Sequence, residues 1–285
     1  MRKGIILAGG QGTRLHPITN FVSKQLLPVF DKPMINYSLS ILMLSNIRDV
    51  LIISTPRDIN NFKDYLGDGK QYGLKLSYAV QKKPNGIAEA FIIGESFIKK
   101  SSVALILGDN IFFGSELSKI LKKTAASKKN TIFLCHVNDP NRFGVAYIRK
   151  KKLIKIIEKS KKKISNLAVT GLYYFDNSVI NISKKLKPSK RGELEITDIN
   201  NFYLKKKKLN YQILSRSTSW KDAGTFQSIL EIGNIIQYYQ KTTSKYIGLL
   251  EEIAFNQNWI SKKKFKKNID QTKNKEIKNY LSSLC

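Results

Sequence analysis

Apolar residues in this chain fall in short runs separated by amphipathic stretches. The first run, residues 5–8, has no polar alternation, which suits a strand covered on both faces in a parallel sheet. Further β-rich runs follow at 50–53, 74–80, 103–107, 131–136 and 167–175, and helical spacing occupies 33–46, 60–66, 87–98 and 115–126 between them. That rhythm predicts an α/β fold with a Rossmann-like, doubly wound mixed sheet. Residues 144–158 break it, because two short apolar runs flank Arg149-Lys150-Lys151-Lys152 as the strands of an inserted antiparallel hairpin would. After Asp222-Ala223-Gly224-Thr225 the pattern is a long helix over 226–240 and then a mostly helical tail through Glu251-Glu252-Ile253-Ala254-Phe255. A main domain over 1–241 and a small unit over 242–285, packed on the core or on a neighbouring subunit, are expected. No internal repeat is present.

Composition narrows the partners. A chain of 285 residues can bury a substantial core. Its apolar runs fall far short of a membrane span, and Met1-Arg2-Lys3 leads straight into the first core strand, so a cytoplasmic protein with no signal peptide and no membrane partner is expected. Two cysteines, Cys135 and Cys285, offer no disulfide framework and no zinc site. The net charge of +29 would suit a polyanion, but it sits in lysine runs at 150–152, 161–163, 205–208 and 262–266, each at a turn or an element end, while arginine is sparse. That is the distribution of a solvated surface, and no specific nucleic-acid partner is expected.

Candidate chemistry begins where the first strand ends. In Gly9-Gly10-Gln11-Gly12-Thr13-Arg14 the glycines permit positive φ and close approach of main-chain N–H groups to an anion, and Arg14 adds a permanent forked cation. A nucleoside triphosphate is the natural occupant. The pattern is neither a P-loop nor the G-x-G-x-x-G of dinucleotide folds. Asp109 ends the strand Leu105-Ile106-Leu107-Gly108, at the carboxyl edge of the sheet where such folds bind ligands, and is placed to hold Mg²⁺. Asp222 is either a second ligand or an ordinary turn aspartate, since spacing brings nothing together over that distance. Lys24, among apolar neighbours, could neutralise a transferred phosphate. Glu158-Lys159 ends the hairpin, where a carboxylate could take a sugar hydroxyl and the ammonium a sugar phosphate. His16 and His136 are read as structural, because transfer from an already ionised phosphate oxygen needs no general base.

These residues stand inside a longer series: Gly9 to Leu15, Ser23-Lys24-Gln25-Leu26-Leu27-Pro28, Asp31-Lys32-Pro33-Met34-Ile35, Leu107-Gly108-Asp109-Asn110-Ile111-Phe112, Val137-Asn138-Asp139-Pro140, Ala168-Val169-Thr170-Gly171-Leu172-Tyr173 and Arg191-Gly192-Glu193-Leu194-Glu195-Ile196-Thr197-Asp198. In that order and over nearly the whole chain they resemble the glucose-1-phosphate thymidylyltransferases of the sugar nucleotidyltransferase family. The resemblance implies Mg²⁺-dependent attack of glucose 1-phosphate on the α-phosphorus of dTTP, with no covalent enzyme intermediate. It implies that Gly9, Gly10, Gly12, Thr13, Arg14, Lys24 and Gln25 hold the triphosphate, that Gln81 and Gly86 read the thymine, and that Asp109 and Asp222 hold the metal. It places Asn110, Gly144, Glu158, Lys159, Val169, Tyr173, Arg191 and Trp220 in the sugar-phosphate pocket. Arg14, Lys24, Asp109 and Asp222 are then the catalytic set. A homotetramer inhibited by dTDP-rhamnose, the end product of the deoxysugar route, is also implied.

Several positions depart from the family pattern. Ile157-Glu158-Lys159-Ser160 lacks the usual proline, which frees the backbone after the binding pair. Ala223 replaces a threonine beside Asp222, and Asn36 and Ser38 replace an aromatic residue and a proline. Two other readings accompany the main one: a uridylyltransferase using UTP, and a catalytically weakened sugar-nucleotide-binding protein.

Overall fold

Strand β1 (Arg2–Ala8) pairs in parallel with two neighbours, β4 (Asp49–Ser54) and β6 (Ser102–Leu107), and so lies at the centre of a large sheet. The computed structural model describes residues 2–162 and 164–285; Met1 and Lys163, the last of the 161–163 lysine run, lie outside the described residues. A two-residue hairpin, β2 (Pro28–Val29) and β3 (Lys32–Pro33), leads into α1 (Met34–Leu44) before β4. Then come α2 (Ile59–Leu66), β5 (Lys75–Val80), α3 (Glu89–Ile93) and α4 (Glu95–Ile98) ahead of β6. Next are β7 (Asn110–Gly114), α5 (Leu117–Ala126), β8 (Asn130–His136), β9 (Gly144–Arg149), β10 (Lys152–Glu158) and β11 (Leu167–Phe175). The chain ends with α6 (Val179–Lys184), α7 (Ile196–Lys205), β12 (Leu209–Ile213), β13 (Thr218–Asp222), α8 (Phe226–Thr243), α9 (Leu250–Asn256), α10 (Lys262–Gln271) and α11 (Lys275–Ser283).

Strands β5, β4, β1 and β6 run parallel in that order, and β11 lies antiparallel against β6. One edge of β11 pairs with β8, which in turn pairs in parallel with β12; the other edge serves β9 near Ala168 and β6 from Leu172 onward. The hairpin β9–β10 therefore opens beyond the carboxyl end of β6, over the loop that carries Asp109. A mixed sheet with an inserted antiparallel hairpin is what the hydrophobic pattern predicted.

Side-chain alternation divides the core. Ile5, Leu51 and Leu105 face one layer with Phe91 and Ile199, while Ile6, Ile52 and Ile106 face the other with Leu39, Leu42 and Phe112. The second layer also takes Leu250, Phe265 and Leu281 from the last three helices, so the C-terminal helices share the apolar cluster of α1. A third cluster joins Val29, Met34, Tyr37 and Ile111 to Ile232 and Ile236 of α8. That helix starts in a reciprocal cap between Thr225 and Ser228 and continues three residues past the predicted end at 240.

The helix predicted over 87–98 is broken at Gly94, where a Cβ would lie 2.8 Å from Ile5 Cδ1. Without a Cβ, Gly94 lets this segment approach β1 closely. Among the described residues no helix is long and apolar enough to cross a membrane.

Candidate active site

The glycine loop leaves β1 at Ala8, and each glycine has its own reason. Of the three glycines, all of which permit positive φ, only Gly12 uses it, at 65°, accepting the Thr19 hydroxyl on its carbonyl at 2.9 Å. Gly9 instead lies against a side chain: a Cβ there would stand 2.5 Å from Gln81 Oε1, which would have to shift. Gly10 faces open space, with nothing within 4 Å of a Cβ built on it. Thr13 and Arg14 form a 3-10 turn on the cleft side. Gln81 donates to Glu89 at 2.7 Å, and Gly86, at φ 105°, must be glycine because the Leu194 backbone lies 2.5 Å from any Cβ. Gln25 is buried, its Oε1 accepting from the Ser23 hydroxyl at 2.8 Å and its Cγ wedged against Gly108.

At the end of β6, Lys24 and Asp109 form an ion pair. The other Asp109 oxygen accepts from Asn110 Nδ2 at 2.9 Å. Burial by itself raises the Asp109 carboxyl, but the Lys24 charge, its hydrogen bond and the Asn110 amide outweigh it and hold the carboxyl below the usual carboxylate range. Asp222 reaches the same place through the sheet formed by β7 and β13, in which it stands opposite Asn110. Burial and then the Asp109 charge push its carboxyl up, against the pull of Lys24, Arg14 and Arg142. Arg142 donates to Asp222 at 3.3 Å. Arg14 crosses Gly224, where a Cβ would fall 2.7 Å from Nη2. Two half-buried carboxylates beside cations provide oxygen donors suited to a hard divalent ion shared with phosphate oxygens. Among the described residues no group of three or more His, Cys, Asp or Glu side chains could hold a metal by itself.

The hairpin supplies the opposite wall. Glu158 accepts from the Thr197 hydroxyl at 2.6 Å, and both lie close to Gly144, where a Cβ would stand 3.2 and 3.3 Å from their oxygens. Lys159 is exposed at φ 43°, with its N–H on the Phe143 carbonyl at 3.0 Å. The Ser160 hydroxyl donates to the Lys162 carbonyl at 2.7 Å, restoring part of the restraint that the missing proline would give. Arg191 is held in a fork by Glu195 at 2.8 and 2.9 Å and lies 3.8 Å from Glu158. Val169 and Tyr173 come from β11, and Trp220 from β13 stacks edge-on with Phe143 at 5.0 Å.

These walls enclose a cleft of about 730 Å³. Thr13, Arg14, Asp109, Asn110, Gly144, Glu158, Lys159, Val169, Tyr173, Arg191, Trp220 and Asp222 line it. Lys24 joins through Asp109; Gly9, Gly10, Gly12, Gln25, Gln81 and Gly86 form the adjoining loop region rather than the cleft lining itself. Sequence reasoning passed over Arg142, Phe143, Thr197 and Glu195, all in the lining. Arg142 had one available signal, since arginine is uncommon in a chain that carries its positive charge on lysine.

A mostly parallel sheet whose carboxyl-end loops join a glycine turn, clustered cations and two carboxylates is the build of an enzyme that handles phosphate esters. The chain belongs to the Nucleotidyl transferase family, whose model matches residues 3–238, and within it to the glucose-1-phosphate thymidylyltransferases. It is 51% identical over 264 residues to the glucose-1-phosphate thymidylyltransferase of Neisseria meningitidis, covering 92% of each chain. It is 48% identical to that of Xanthomonas campestris over 286 residues, 100% of this chain and 97% of the relative. Among solved structures, a Bacillus anthracis protein assigned to the same enzyme and crystallised with sucrose superposes with a TM-score of 0.76 at 43% identity, over 82% of this chain and 95% of that one. A UDP-glucose pyrophosphorylase bound to UDP-glucose gives 0.74 at 25% identity, over 85% and 99%.

Proposed function

We infer that this protein transfers a thymidylyl group from dTTP to glucose 1-phosphate, forming dTDP-glucose and pyrophosphate. What carries the reading is identity near one half to thymidylyltransferases along essentially the whole chain, against 25% to a uridylyl-handling neighbour. A sugar-phosphate oxygen attacks the α-phosphorus, a new P–O bond forms, and the α–β anhydride bond breaks with its electron pair leaving on pyrophosphate. No proton need be removed from an ionised phosphate. The protein's part is to position the reactants and stabilise charge.

In this reading the glycine turn and Arg14 hold the triphosphate, Lys24 offsets charge at the reacting phosphorus, and Gln81 and Gly86 meet the thymine. Glu158, Asn110, Gly144, Val169, Tyr173 and Trp220 surround the glucose, and Lys159 with Arg191 takes its phosphate. Arg191 must then exchange Glu195 for the ligand. Asp109 and Asp222 would hold Mg²⁺, which would supply positive charge shared with the phosphates. Cytoplasmic residence, a homotetramer, and a 242–285 unit acting in subunit packing or regulation complete the proposal. The test is pyrophosphate release with glucose 1-phosphate and each of dTTP, UTP, CTP, ATP and GTP. Preference for UTP would replace the base assignment, and release with none would leave a binding protein.

A further inference from the structure

Asn110 opens β7 at 3% exposure, and its amide can point only one way. The Gly171 main-chain N–H and the Trp220 Nε1–H both lie on Oδ1, at 2.9 and 2.6 Å, and both groups can only donate. Nδ2 is thereby aimed at Asp109 Oδ1, 2.9 Å away, while Lys24 occupies the other oxygen. Strands β7, β11 and β13 meet on this one side chain. Gly171 is part of the fit, since a Cβ there would fall 2.6 Å from Asn110 Cγ. From the other side the Ser38 hydroxyl donates to the Leu107 carbonyl at 3.2 Å, just before the Asp109 turn. With Oδ1 taken twice, Asn110 keeps a single N–H for a ligand.

We propose that Asn110 is a positioning residue for Asp109. A free carboxylate turns easily about its last torsion. Here one donor on each oxygen fixes its plane, and Trp220 and Gly171 fix the donor. The unshared lone pairs of Asp109 are thus presented to the cleft in one orientation. This inference rests on the transferase reading for the consequence to the reaction, and on the hydrogen bonds alone for the geometry.

Two variants test it. Asn110→Asp keeps an acceptor for both donors but sets a carboxylate oxygen against Asp109, at a cost in stability that a thermal melt reads. Asn110→Ser withdraws the amide without adding charge. Both should lower kcat about 10- to 100-fold, and the rise in KM for glucose 1-phosphate from the lost N–H contact should be the smaller of the two effects. Titration of Mn²⁺ into the protein alone, read from the electron paramagnetic resonance of the free ion, should show at least about tenfold weaker binding to Asn110→Ser. A raised sugar-phosphate KM with kcat retained would make Asn110 a sugar contact alone and overturn the proposal. Parent-like Mn²⁺ binding in folded Asn110→Ser, or none in the parent, would also overturn it. Failure of the parent to make dTDP-glucose would strike the reaction reading alone, leaving the Mn²⁺ comparison to decide on Asn110.

Discussion

Asp222 stands opposite Asn110 in the ladder of β7 and β13, and the following amide, that of Ala223, donates to the Asp109 carbonyl at 2.9 Å. Main-chain pairing alone thus brings together two carboxylates that lie far apart in the sequence. Holding like charges half-buried opposes folding, and Lys24, Arg14 and Arg142 offset that cost. The charge concentration a transfer site requires is built into the sheet rather than left to mobile side chains.

Asp109→Asn should lower turnover by about two orders of magnitude or more while the protein still folds. The amide oxygen can continue to accept from Lys24 and loss of one negative charge relieves Asp222, while the new NH2 faces the Asn110 donor and lowers the melting temperature modestly. Steady-state kinetics beside a thermal melt checks both halves. Near-normal turnover would remove Asp109 from the reacting centre.

Lys24→Ala is expected to behave differently, because it strips the cation from a pair whose lysine is only 7% exposed. Leaving Asp109 uncompensated beside Asp222 should cost about 3 kcal/mol of stability in a denaturant titration at neutral pH. The rate should fall far more than substrate affinity. An unchanged kcat in the folded variant would place Lys24 outside the reacting centre.

The strands were legible because residues such as Ile5 and Ile6 or Leu105 and Ile106 must each be apolar to fill a different face of one sheet. The glycine loop, Asp109 and the hairpin wall were legible for the same local reason. The union of Asp109 with Asp222 was implied by the family resemblance but not by spacing, since it depends on the long-range register of β7 with β13, short strands with no distinctive pattern. Gly94 shows the converse: local helical spacing was present, but the helix divides at this glycine, which lies close to Ile5. The forked hold of Glu195 on Arg191 likewise follows from a turn geometry that residue types do not announce.

Two glycines of the nucleotide region should respond oppositely to alanine. Gly86→Ala forces a side chain onto the Leu194 backbone at φ 105° and should cost about 2 kcal/mol or more, with a higher KM for dTTP as Gln81 shifts. Gly10→Ala meets nothing within 4 Å and should leave the melting temperature near that of the parent. If its open side receives phosphate, KM for dTTP rises all the same. Equal stability of the two variants would contradict the contacts described for Gly86.

Glu251 gives a prediction with a definite sign in pH. It lies in the first turn of α9, where burial raises its carboxyl despite opposing pulls from a main-chain hydrogen bond and from Lys32. Lys32 is itself lowered by burial and is shared with Asp31 and Glu252. A folded-state carboxyl that titrates above its unfolded value means the folded form holds that proton more tightly. Stability contributed by the protonated form is therefore lost as pH rises from the ordinary glutamate range through the raised value. Glu251→Gln removes this loss. Its melting temperature should exceed that of the parent by a few degrees at neutral pH, and the two should converge as pH falls below the ordinary glutamate range. The variant should preserve the attachment of the C-terminal helices, because Leu250 and Ala254 on the same helix stay buried beside α1. A parent more stable than Glu251→Gln at neutral pH would mean that attraction to Lys32 outweighs burial, reversing the assigned direction.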